Sequence, residues 1–119
     1  MTAFSLYLSL ALMLFAAAPA SAQTLEQLDI AEGEQLAEKL CVNCHQVAQD
    51  DPGTVLTDVP GFVAIANRPG MTAEKIEAYV LDPHPAMPRI QFTRAELENI
   101  AKYIMSLREE DQAIKEPAE

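Results

Sequence analysis

The feature that most constrains this chain is a pair of cysteines three positions apart with a histidine directly after the second: Cys41-Val42-Asn43-Cys44-His45. No other cysteine occurs in the 119 residues. A disulfide between the two would close a very small loop and staple almost nothing, because disulfide stabilisation grows with loop length. A zinc site needs four ligands, usually as two pairs, and the only histidine outside the motif is His84. A redox dithiol of this spacing belongs beside a β-α-β pattern, and the chain carries no strand signal.

The spacing does suit covalent haem attachment. Residues i, i+3 and i+4 share one side of a helical turn. Cys41 and Cys44 can then each form a thioether with a haem vinyl group, and His45 brings its imidazole under the iron. One covalently bound haem c is therefore the expected cofactor, held by Cys41, Cys44 and His45, with His45 as an iron ligand. Covalent attachment keeps the group in a domain too small to enclose it fully.

The first 22 residues hold no Lys, Arg, Asp or Glu. An apolar run from Phe4 to Ala18 precedes Pro19-Ala20-Ser21-Ala22, and Ala20 and Ala22 form the small-x-small pattern of a secretory cleavage site. The run is shorter than the ~20 residues of a spanning helix. The expected organisation is a cleaved signal peptide over 1–22, one domain over 23–108 and a charged tail over 109–119. The rival is an uncleaved anchor. Export places the protein in the periplasm. Every charged residue lies after the leader, and the net charge is −10. Nucleic acid is excluded as a partner, since nothing here neutralises phosphates. A redox partner with a basic docking face is expected, as are a monomer and no membrane-embedded part after cleavage.

Four helical segments follow from periodicity and caps. From Asp29 to Leu40, the residues Ile30, Gly33, Leu36, Ala37 and Leu40 fall on one face, with Glu32, Glu34, Glu38 and Lys39 facing away. Pro60 is expected to open a short helix through Phe62, Ile65 and Ala66, stopped by Asn67-Arg68-Pro69-Gly70. Thr72 caps a third, carrying Ile76, Tyr79 and Val80 inward, and Asp82-Pro83 ends it. Thr93-Arg94-Ala95-Glu96 is a capping box for the last helix, whose apolar stripe is Leu97, Ile100, Ala101, Ile104 and Leu107 with Tyr103 on the flank. The Asp51-Pro52-Gly53 turn and the segment Pro83-His84-Pro85-Ala86-Met87-Pro88 are loop. The fold class is all-α.

Three stretches together resemble a bacterial class I monohaem cytochrome c: Gly33-Glu34-Gln35-Leu36-Ala37-Glu38-Lys39-Leu40 before the motif, the pair Met87-Pro88, and the Tyr-containing last helix. The resemblance covers about residues 29 to 108. It implies a fold of about four short helices around one haem, and a methionine sulfur as second iron ligand from the loop before the last helix. The matching residue is Met87. His84, three residues earlier, is then a neighbour of the site or a surface residue, with iron ligation by His84 as the rival reading. The resemblance further implies a proline carbonyl accepting from the His45 ring, with Pro52 as the matching candidate. It implies a close helix crossing at Gly33 opposite Tyr103, and it makes Arg68 and Arg89 candidates for the haem propionates. Met105 is packing.

The function implied is one-electron transfer, and no enzyme activity. A haem enzyme or sensor with an open iron is the alternative, as is the cytochrome subunit of a periplasmic dehydrogenase or oxidase. The chain offers no clear distal acid–base set, which favours the carrier. Acid–acetone extraction of the purified protein should leave the haem on the denatured chain. Red colour moving into the organic phase would show that no thioethers exist.

Overall fold

The computed structural model describes residues 22–50, 56 and 58–109. The leader before Ala22, the Asp51-Pro52-Gly53 turn and the tail past Glu109 lie outside them. The described residues form four helices: α1 (Ala22–Leu40), α2 (Phe62–Ala66), α3 (Ala73–Leu81) and α4 (Arg94–Ser106). No strand occurs among them, so the fold is all-α as expected. None of these helices is long and apolar enough to cross a membrane.

Helix α1 begins seven residues earlier than the apolar pattern indicated. Its first two turns lack Gly and Pro and hold good helix formers, yet their leucines face solvent: Leu25 is 67% and Leu28 55% exposed. Periodicity detects a buried stripe, and the stripe here starts only at Ile30. From there the expected face holds. Ala37 is fully buried, Ile30 and Leu36 pack against the core, and Glu34, Glu38 and Lys39 are exposed.

The helix ends follow side-chain chemistry. Gly61, not Pro60, is the N-cap of α2. Gly70 turns the chain after α2 with φ +69°, a left-handed conformation that glycine adopts without a Cβ clash. The Thr72 hydroxyl accepts from the Lys75 N–H at the start of α3. At α4 both arms of the capping box are present: Glu96 N–H donates to Thr93 Oγ1, and Thr93 N–H to Glu96 Oε2. The Thr93 N–H, and then its hydroxyl, hold the Glu96 carboxyl below its ordinary range. This support is therefore present above the usual carboxylate pKa and is lost as pH falls through the lowered value.

Helix α4 packs against each of the other three. Leu97, Ile100, Ala101 and Ile104 are buried as expected, but Tyr103 is also in the core, at 3% exposure, instead of on the flank. Its hydroxyl donates to the Val47 carbonyl at 2.8 Å, which lets a polar atom be buried without loss. Tyr79 departs the other way. It is 60% exposed, because α3 meets the core through Ala73, Ile76 and Val80. The sequence pattern had carried Tyr79 inward.

The crossing of α1 over α4 is close enough to exclude a side chain at residue 33. A Cβ on Gly33 would overlap the Asn99 carbonyl and lie 2.9 Å from Tyr103 Cβ. Two polar links flank this point. Asn99 Nδ2 donates to Glu32 Oε2 at 2.9 Å, and Lys102 Nζ pairs with Asp29 Oδ2. Glycine inside a helix costs about 1 kcal/mol relative to alanine, so Gly33→Ala should stabilise an isolated α1. In the folded protein the clash is with backbone that cannot rotate away, and overpacking costs about 1–3 kcal/mol or more. Gly33→Ala should therefore lower the melting temperature. A rise would mean that the two helices separate freely.

Candidate functional site

The motif sits where α1 runs out. Cys41 N–H still donates to the Ala37 carbonyl at 2.8 Å, in helical register. The Cys41 carbonyl then accepts from both Cys44 N–H (3.1 Å) and His45 N–H (2.9 Å). That is one further turn of helical type, which brings residues 41, 44 and 45 to one side. Val42 turns toward the core, while Asn43 is exposed.

Cys41 is half-buried and Cys44 exposed, and no disulfide joins them. Burial, and next the neighbouring Cys44, push the Cys41 thiol up to about 11. A redox dithiol needs the opposite, a thiol shifted down toward neutrality. Among the described residues no three His, Cys, Asp or Glu side chains converge as a metal cluster.

The imidazole of His45 is held from outside the motif. Its Nδ1 lies 2.8 Å from the Pro60 carbonyl oxygen. A carbonyl only accepts, so Nδ1 carries a proton, and in the neutral ring the lone pair is on Nε2. The Phe62 ring packs beside the imidazole at a centroid distance of 5.5 Å and an interplanar angle of 45°. Phe62 in turn meets Tyr103 edge-on at 6.4 Å. The backbone beside the histidine is also tied: Phe62 N–H donates to the Gln46 carbonyl at 2.9 Å, and Tyr103 holds Val47.

This corrects the expectation for the proline acceptor. The carbonyl belongs to Pro60, fifteen residues after His45, and Pro52 lies outside the described residues. Sequence proximity favoured the nearer proline, but the described contact is made where the chain enters α2.

Met87 lies on a separate loop, between α3 and α4. It is half-buried, and its N–H donates to the His84 carbonyl at 2.9 Å in a turn. His84 itself is exposed. Arg89 and Asp82, both exposed, approach to 3.8 Å at the two ends of this loop, a surface pair of small energetic weight. Arg68 is exposed in the turn after α2. Four apolar residues are candidates to wall a haem pocket: Phe62 and Ile76 are buried, and Ile65 and Ile90 half-buried.

Two residues that pattern reasoning passed over have clear structural roles. Arg108 donates through Nε to the Ala66 carbonyl (3.1 Å) and through Nη2 to the Met71 carbonyl (2.7 Å), which fastens the end of α4 to the turn between α2 and α3. Its sequence signal was its place just after the last apolar residue of α4, where a cation meets unpaired carbonyls. Asn99 is buried at 7% exposure and pairs with Glu32 across the crossing. A lone Asn in a helix carries no signal of a partner 67 residues away.

An all-α domain that delivers a Cys-x-x-Cys-His turn, with its histidine oriented by a proline carbonyl, defines a bacterial monohaem c-type cytochrome. The residues fit the covalent haem c of that class: two thiols and a lone-pair nitrogen within one turn. The comparison with known proteins makes the assignment specific. The chain belongs to the cytochrome c family described as cytochrome c oxidase, cbb3-type, subunit III, whose profile matches residues 28–104. It is also similar to cytochrome c-552 of Bradyrhizobium diazoefficiens, 42% identical over 80 residues that cover 67% of this chain and 76% of that protein. No solved structure matches the chain significantly. Electron transport through an iron-containing haem c is thus the role of this family fold.

Proposed function

We propose that this chain is a periplasmic one-electron carrier, with haem joined to the sulfurs of Cys41 and Cys44, and with His45 Nε2 and Met87 Sδ as axial iron ligands. The observation that carries the reading is the Pro60 carbonyl on His45 Nδ1. Such a partner fixes the tautomer and raises the basicity of the opposite nitrogen. When bound, haem c supplies an iron that alternates between ferrous and ferric states. The chain's own part is to orient and shield. His45 presents its lone pair from a ring held by Pro60 and Phe62. The Pro-rich loop restricts the backbone around Met87, whose soft thioether favours the ferrous state and raises the potential relative to a second histidine. Phe62, Ile65, Ile76 and Ile90 supply apolar wall that disfavours water.

The family description names an oxidase subunit, which supports a second reading: the cytochrome subunit of a larger assembly. The name of the relative, cytochrome c-552, supports the carrier. Met87→Ala tests the ligand set. The haem should stay attached, the long-wavelength sulfur-to-iron band of the ferric protein should vanish, and the potential should fall. If the band survives in Met87→Ala and the spectrum changes in His84→Ala instead, His84 is the ligand.

The partner is proposed to present a basic face, from the net charge of −10. Of the outward acidic residues, Glu32 binds Asn99, Glu96 is engaged in the capping box and Glu98 pairs with Arg94 at 2.8 Å. The exposed acids Glu34 and Glu38 on α1 are the better candidates for steering. The bimolecular electron-transfer rate with a redox partner should fall as salt rises, because screening limits the reach of charge to about 8 Å at physiological ionic strength. A rate independent of salt points to apolar docking.

A further inference from the structure

Gly61 occupies a position where another residue looks better. It is the N-cap of α2, and no side chain caps that helix. Ser, Asp or Asn there would let a side chain satisfy an orphan N–H, a small gain over glycine. The backbone does not require glycine, since φ −69° and ψ 161° are open to every residue. What glycine supplies is space. A Cβ at 61 would lie 3.3 Å from both Gln46 Cβ and Gln46 Oε1, and 3.4 Å from the Gln46 carbonyl oxygen.

The residues on either side of Gly61 make the two links that hold the histidine segment. Pro60 gives its carbonyl to His45 Nδ1, and Phe62 gives its N–H to the Gln46 carbonyl while its ring packs on the imidazole. The segment around Gly61 thus lies against His45-Gln46 with a bond on each side and a tight gap in between. A Cβ at 61 is tighter against Gln46 than most side-chain contacts, so the Gln46 side chain or the 60–62 backbone must give by a few tenths of an ångström, and a shift of that backbone moves both bonds.

We propose that Gly61 is a positioning residue, whose missing side chain lets the Pro60 carbonyl come close enough to fix the tautomer and basicity of His45. The inference rests on the reading of His45 as an iron ligand. With Gly61 replaced by a larger residue, the Nδ1–H···O bond lengthens and His45 becomes a weaker base. A weaker base stabilises ferric iron less, so the potential rises.

The test uses the full-length holo-protein as wild type, Gly61→Val, Gly61→Ala and Gly61→Ala with Gln46→Gly, and Thr93→Ala as a control for stability alone. The readouts are the reduction potential, exchange of the His45 ring proton by NMR with labelled histidine, and the melting temperature. With only two histidines, assignment is direct. Gly61→Val should raise the potential and speed ring-proton exchange about tenfold, the scale set by the net worth of one hydrogen bond. Gly61→Ala should do the same to a smaller extent, and removing the Gln46 side chain should restore it. Thr93→Ala should lower the melting temperature and leave the potential and the exchange rate alone. If Gly61→Val does not accumulate with haem, Gly61→Ala decides by the same readouts. Unchanged potential and exchange in the glycine variants, or changes matched by Thr93→Ala, overturn the proposal. If the iron-shifted ring proton proves to be that of His84, the ligand assignment fails, while exchange of the His45 proton still decides the role of Gly61.

Discussion

The structure depends on how closely α1 can approach α4. Gly33 sets that distance, because only a residue without a side chain fits over the Asn99 carbonyl. The Cys-x-x-Cys-His turn and the segment just after it are held by the two helices so joined. Helix α1 carries the Cys-x-x-Cys-His turn on its end, and α4 supplies Tyr103, which holds Val47 just beyond that turn. The approach is kept in register by Glu32 with Asn99 and Asp29 with Lys102. The half-buried links act less as sources of stability than as a means of choosing one alignment over its neighbours, since exposed ion pairs contribute little.

The site is built from pieces of different stiffness. The cysteines ride on a helical extension, where spacing alone brings them together. The histidine ring is oriented by groups far along the chain, and that orientation depends on packing as much as on the motif. Three prolines surround Met87 in sequence, at 83, 85 and 88. Each fixes its own φ and biases the preceding residue toward extended backbone, so the loop has few conformations to lose when its methionine is placed. With Met87 as the proposed iron ligand, this suits a centre that changes little between two oxidation states.

Much of this was legible in the sequence. The capping box at Thr93 and Glu96, the cap at Thr72 and the buried stripes of α1 and α4 are local signals, and they came out as read. So did the tight crossing at Gly33. The failures share one cause. The first turns of α1 are helical but solvent-facing, so no stripe marks them. Pro60 was displaced by the nearer Pro52, because the returning path of a loop is not encoded in spacing. Tyr103 and Tyr79 exchanged expected surroundings: a hydroxyl with a carbonyl partner can be buried, and an aromatic ring beside the packed stripe can be left out. Arg108 and Asn99 act only across the tertiary structure. Local chemistry is visible in one dimension, and long-range satisfaction of polar groups is not.

The links across the main crossing join residues 67 and 73 positions apart, so the two ends of the domain hold each other and the middle is threaded between them. Contacts of such separation incur most of their loop-closure entropy before any of their stabilisation is realised. Helix α1 finds its main packing partner in α4, the last of the four helices to be synthesised. The stretch that carries both cysteines is therefore made before the surface on which it packs.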